Sequence, residues 1–133
     1  MNERIRKNAK SIIFDMNETK ENRIQASFAL MNDGSEEAVD CLIQALFSEP
    51  SPIVRHEIAF SLGETASPRA VPNLIKVLET DDNIFVVHEA ALALATLGDM
   101  RAEEPLKKLL NHEHPDVVES AEIALQRLHS SDN

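Results

Sequence analysis

Tryptophan and tyrosine are absent from the 133 residues, and there are one cysteine, three glycines and six prolines. Each scarcity excludes something. Without Trp or Tyr there is no obvious platform on which bases could stack, so a reader of single-stranded nucleic acid is not expected. Cys41 has no partner for an internal disulfide, and one thiol cannot form a zinc-type cysteine cluster. That suits a reducing, intracellular setting, with Cys41 as a small buried apolar residue. No apolar run reaches the eighteen residues of a membrane span, and no apolar signal core follows the charged start Met1-Asn2-Glu3-Arg4-Ile5-Arg6-Lys7. No membrane partner and a cytoplasmic location are the expectations. No glycine-rich phosphate loop or nucleophile elbow is present. Positive charge is short too: 13 Lys and Arg stand against 23 Asp and Glu, a formal charge of −10. A nucleic-acid surface needs a basic stripe, so no nucleic-acid partner is expected. An acidic chain suits a cationic partner or a divalent metal, the plain alternative being solubility.

What is present reads as helix throughout. The chain is 43% hydrophobic and 27% charged, which places it among globular rather than disordered chains and allows one domain, residues 1–133, with a real core. Apolar residues recur at helical spacing, with no strand-like alternation. The spacing predicts helices over about 2–14 and 20–31. Asn32-Asp33-Gly34 is then a stop, Gly34 taking the left-handed cap, and Ser35-Glu36-Glu37 opens the next helix with an N-cap and first-turn acids. Ser51 caps a following helix with Pro52 in its first turn. Asp81-Asp82-Asn83 ends another helix and caps the next, and Gly98-Asp99 repeats the stop. A helix over 117–128 and a frayed tail that takes in His129 and runs through Ser130 to Asn133 complete the expectation.

Slid on itself by 32 residues, the chain matches: Phe28 meets Phe60, Leu30 meets Leu62 and Leu94, and Leu42 meets Leu74 and Leu106. Gly34, Ala66 and Gly98 also align. A shift of 31 lays Asp116-Val117-Val118 on Phe85-Val86-Val87. Four hairpins of near-constant length, about 2–31, 35–63, 68–97 and 101–128, predict an all-α fold, an α-solenoid of the HEAT type. No hairpin can bury its apolar face alone, so neighbours stack, with the second helices lining one side.

The middle two hairpins carry the same pair on the second helix, His56-Glu57 and His88-Glu89. The corresponding places outside them are Ile24-Gln25 and Glu119-Ser120. The pair is therefore not a general feature of the repeat. No second ligand stands four residues on, so this is not the one-helix His-Glu-x-x-His zinc site. Ligands must come from separate helices, which pack about 8–10 Å apart. Two imidazoles with a carboxylate and open positions suit oxygen-activating iron(II); zinc fits the ligand types as well, and manganese fits two imidazoles less well. His112-Glu113-His114 resembles a metal tripeptide, but it precedes a proline, out of register with the pairs, and reads as a solvated turn.

The run Ile53-Val54-Arg55-His56-Glu57-Ile58-Ala59-Phe60-Ser61-Leu62-Gly63 resembles the deoxyhypusine hydroxylase family. So does Ser67-Pro68-Arg69-Ala70-Val71-Pro72, and Val87-His88-Glu89-Ala90 through Leu97-Gly98-Asp99 is similar to the family's second motif. The stretch Val117-Val118-Glu119-Ser120-Ala121 through Leu128 is similar to the end of one half of that enzyme. The resemblance implies two halves of four HEAT hairpins each. Four His-Glu motifs there hold a di-iron centre that uses O2 to hydroxylate the deoxyhypusine side chain of a translation initiation factor. By that resemblance His56, His88 and Glu89 are iron ligands, and Glu57 is the catalytic carboxylate facing the cationic amine or the metal. The chain departs from the family in having one half only, with Phe60 at a tyrosine position, Val87 at a basic one, Ala91 and Ala95 at small glycines and Leu92 at a common glutamate. These touch substrate identity rather than iron ligation. One half implies a homodimer whose two-fold axis completes the site, with one iron per chain. The competing expectations are a HEAT scaffold that binds a protein without catalysis, and a metal- or O2-binding protein without hydroxylase activity.

Overall fold

The structure, a computed structural model, describes residues 2–130; of the expected frayed tail, residues 131–133 lie outside them. The helices are α1 (Glu3–Lys7), α2 (Ala9–Ile12), α3 (Lys20–Asp33), α4 (Glu36–Ser48), α5 (Pro52–Glu64), α6 (Ala70–Thr80), α7 (Ile84–Leu97), α8 (Glu103–Leu109) and α9 (Pro115–Ser130), with a short 3-10 turn, Met100–Ala102, before α8. The described residues contain no strand. Four hairpins result, the first with its leading helix in two pieces. Helices α3, α5, α7 and α9 pack in that order as one layer, and α4, α6 and α8 form the other. A continuous cluster from Ile5 to Leu128 fills the space between.

The boundaries follow local chemistry. Thr19, Ser35 and Asn83 cap α3, α4 and α7, each accepting from a backbone N–H of the first turn. Gly34 and Gly98 end α3 and α7 at φ +66° and +68°, and aligned Ala66 follows α5 at φ +59°. Three expectations need correction. The helix over 2–14 is broken at Asn8, whose φ of −116° leaves the helical region and whose side-chain amide donates to the Arg4 carbonyl. Ser51 stands at the N-cap of α5, but its side chain makes no cap bond; the hydroxyl oxygen is buried without a partner. Ser130 and His129 belong to α9 rather than to a frayed tail, and His129 Nε2 lies 2.8 Å from Glu103 Oε2 on α8.

Two arginine clamps tie successive hairpins. Arg23 on α3 donates through Nε and Nη2 to both oxygens of Glu49 at 2.8 and 3.1 Å, and through Nη1 to the Glu18 carbonyl. Arg55 on α5 does the same to Asp81 at 2.8 and 3.2 Å, with Nη1 on the Glu49 and Pro50 carbonyls. The acids cap the C-termini of α4 and α6, so each clamp pins the turn inside one hairpin to the second helix of the hairpin before it. Val87 stands at the third such place. The corresponding turn is closed instead by imidazoles: His112 Nδ1 accepts from the His114 N–H, and His114 Nδ1 from the Asp116 N–H.

Candidate metal centre

The site lies on the layer of second helices. Helices α5 and α7 approach closely near their C-terminal ends because Gly63 carries no side chain: a Cβ there would lie 2.8 Å from Ala93 Cβ and 2.9 Å from Ala93 Cα. This packing sets α5 and α7 side by side; Val54, Ile58 and Leu62 on one and the equivalent Val86, Ala90 and Leu94 on the other are all buried. The pairs are carried at the edge of those stripes, half-buried.

Three of the four expected residues meet. His56 Nδ1 is 3.0 Å from Glu57 Oε1, and His56 Nε2 is 3.2 Å from Glu89 Oε2 on the neighbouring helix. The imidazole thus lies between two carboxylates. Nδ1 is hydrogen-bonded to Glu57, while Nε2 stands at ion-pairing distance from Glu89. His88 turns the other way, with Nδ1 2.6 Å from Ser120 Oγ on α9. No group of three or more His, Cys, Asp or Glu among the described residues is arranged to hold a metal ion. The physical reason is visible in the contacts: His56 directs its nitrogens at Glu57 and Glu89, and His88 is engaged with the next hairpin. The donor chemistry nonetheless fits iron(II) or zinc, since two imidazoles and two carboxylates stand on adjacent helices. His56 and the two carboxylates it touches are partly open to solvent, Glu89 least at 14%.

Two recesses flank the cluster. One, about 670 Å³, is lined by Lys20, Ser51, Ile53, His56, Glu57 and Phe85 among others. The other, about 250 Å³, is lined by Phe85, His88, Asp116, Glu119, Ser120 and two isoleucines. Phe85 borders both and is 67% exposed; Ile53, its equivalent one repeat earlier, is 60% exposed. Phe60, at the expected aromatic position, lines a smaller recess with Glu89, Leu92 and Arg127. Lys20, Arg127 and Ser120 were not singled out from sequence. Lys20 and Arg127 carry no motif. Ser120 had a signal: the shift of 31 puts it at the place of Glu89, and the buried Val117, Ala121 and Leu125 repeat Val86, Ala90 and Leu94 at that same shift.

Comparison with curated proteins finds no match. A solved structure of human deoxyhypusine hydroxylase in complex with glycerol is similar to this chain at a TM-score of 0.87 and 30% identity. The match covers 97% of this chain and 45% of that one, so the chain spans less than half the length of that enzyme. The family model for HEAT repeats matches residues 39–126, from near the start of α4 through most of α9. Repeat length, two-layer stacking and that match agree, and the chain belongs to the HEAT-repeat family.

Proposed function

We propose that this chain is an iron-dependent oxygenase of the deoxyhypusine hydroxylase type, acting on a lysine-derived or amine-bearing side chain and completed by a second copy. The observation that carries the reading is the contact of His56 with Glu57 and Glu89 across adjacent second helices, in a chain similar over 97% of its length to part of that human enzyme. His56, His88 and Glu89 are the proposed ligands. Iron(II), when bound, supplies the redox chemistry that activates O2. The chain supplies the rest. Glu57, at the recess shared with Ile53 and Phe85, offers a carboxylate to a cationic amine, while the two apolar side chains shelter an aliphatic stem from water. A homodimer is supported by the exposed Ile53, Phe60 and Phe85 around the cluster. A reducing, cytoplasmic setting suits the free, buried Cys41; no helix among the described residues is long and apolar enough to cross a membrane. Those same exposed apolar residues favour a second reading, a scaffold that docks a protein without catalysis.

Anaerobic iron(II) titration with sedimentation analysis tests the proposal. One iron per chain and a dimer that tightens with iron are expected, because ligand bound to one assembly state stabilises it by mass action. His56→Ala and His88→Ala each remove iron binding; His112→Ala leaves it intact. Equal binding by all three variants returns the pairs to a packing role. A monomer loaded with iron at micromolar concentration rejects the dimer. Gain of one oxygen atom by an amine-bearing side chain, read by mass spectrometry, distinguishes the oxygenase from a metal-binding protein without hydroxylase activity.

A further inference from the structure

We infer that Ser120 is a positioning residue for His88: it holds the imidazole in the tautomer protonated on Nδ1 and leaves Nε2 a bare lone pair. The argument is an inventory of hydrogens. A serine hydroxyl has one hydrogen to donate. Ser120 Oγ is 2.8 Å from the Asp116 carbonyl oxygen, which can only accept, so the hydroxyl donates there. The same Oγ is 2.6 Å from His88 Nδ1. With its hydrogen committed to Asp116, Ser120 Oγ accepts, and the proton between the two side chains belongs to Nδ1 of His88. Among the described residues Nε2 of His88 has no protein partner. Ser120 is 4% exposed on α9, so water does not compete well for its oxygen.

The two histidines are thereby set differently by one repeating geometry. Each reaches forward to the same place on the next second helix, the place after its own equivalent. From His56 that place is Glu89; from His88 it is Ser120. An acidic acceptor leaves His56 between two carboxylates. A neutral hydroxyl with its own hydrogen spent leaves His88 with one nitrogen tethered and one free. A ring whose second nitrogen is held by a hydrogen bond makes an oriented and more basic metal ligand. This use of His88 rests on the metal reading proposed above; the tautomer does not.

The test uses metal-free, 15N-labelled full-length protein at about pH 8.5, where an ordinary histidine of value about 6.5 is neutral. Two-bond proton–nitrogen correlation spectra report which ring nitrogen carries the proton, and the His88→Gln spectrum assigns the His88 signals. Wild type and Ser120→Thr are expected to show a protonated Nδ1 and a bare Nε2. Ser120→Ala is expected to lose that preference. A wild-type His88 protonated on Nε2, or a Ser120→Ala spectrum identical to wild type, overturns the inference. If Ser120→Ala fails to fold, the wild-type tautomer and its retention in Ser120→Thr still decide it. Titration with zinc(II) and iron(II) then separates the two ideas. A loss of about 10- to 100-fold in affinity in Ser120→Ala, restored in Ser120→Thr, supports both. The expected tautomer in a wild type that binds neither ion keeps the role of Ser120 and rejects the metal reading.

Discussion

Among the described residues three turns bend through the left-handed backbone region, and two of them do so on glycine. Gly34 and Gly98 sit at φ +66° and +68°; Ala66, in the same repeat position, sits at +59° with a Cβ that crowds the backbone. Ala66→Gly is expected to raise stability by about 1 kcal/mol, read as a higher urea midpoint with unchanged slope. Gly63 is the opposite case. Its conformation is ordinary, but a Cβ would press on the Ala93 backbone as well as its side chain. Neither atom is the end of a flexible group, so the helices must part. Gly63→Ala is expected to cost about 2 kcal/mol and to loosen the His56–Glu89 contact on the same pair of helices, read from the His56 ring resonances.

The helices were largely legible before their positions in space were known, and the links between them were not. Capping by Ser35 and Asn83, and the stops at Gly34 and Gly98, follow from residue type and local order. The break at Asn8 was hidden because Ile5, Ala9, Ile12 and Ile13 keep helical spacing through it, and all four are buried. The clamps were hidden because Arg23 and Glu49, like Arg55 and Asp81, stand 26 residues apart, each arginine on a helix and each acid in a later turn. At the candidate site the identities of His56, Glu57, His88 and Glu89 were legible from a pair repeated in the middle hairpins. Which side chain each one touches was not, since that depends on the one-residue diagonal between neighbours. Burial grades the clamps: the Arg23 and Glu49 side chains are 6% and 1% exposed, whereas Arg55 and Asp81 are more open. Arg23→Ala strands a buried carboxylate and is expected to cost about 3 kcal/mol or more, against a smaller loss for Arg55→Ala, by chemical denaturation.

Over the whole molecule, the surface of a solenoid is held by local ties, and acid loosens several at once. Glu18 lies below its ordinary value of 4.5 because Arg4, then Asn22, hydrogen-bonds it. Glu103 is lowered by His129 and Lys107, Asp33 by Ser35, and Asp99 by Arg101. A carboxyl group lowered in the folded state stabilises fully above its unfolded value and loses that contribution as pH falls through the folded one. The window is therefore below the ordinary values of 4.5 for Glu and 3.8 for Asp. Loss of the −10 charge relieves self-repulsion over the same range. The expected outcome is thus local: amide exchange at the start of α3, at the turn before α8 and in α8 rises below about pH 4.5. Unchanged protection at those amides down to pH 3 rejects it.

The forward reach of each histidine also orders events in time. A chain is synthesised from its N-terminus, and domains fold as their segments emerge. His56 has no Glu89 until α7 is made, and His88 has no Ser120 until α9 is made. A nascent chain stopped after Gly98 already displays His56, Glu57, His88 and Glu89, yet its second imidazole is untethered. The fourth hairpin to be made is thus the one that sets the second imidazole, so the two histidines are not both engaged until α9 has emerged.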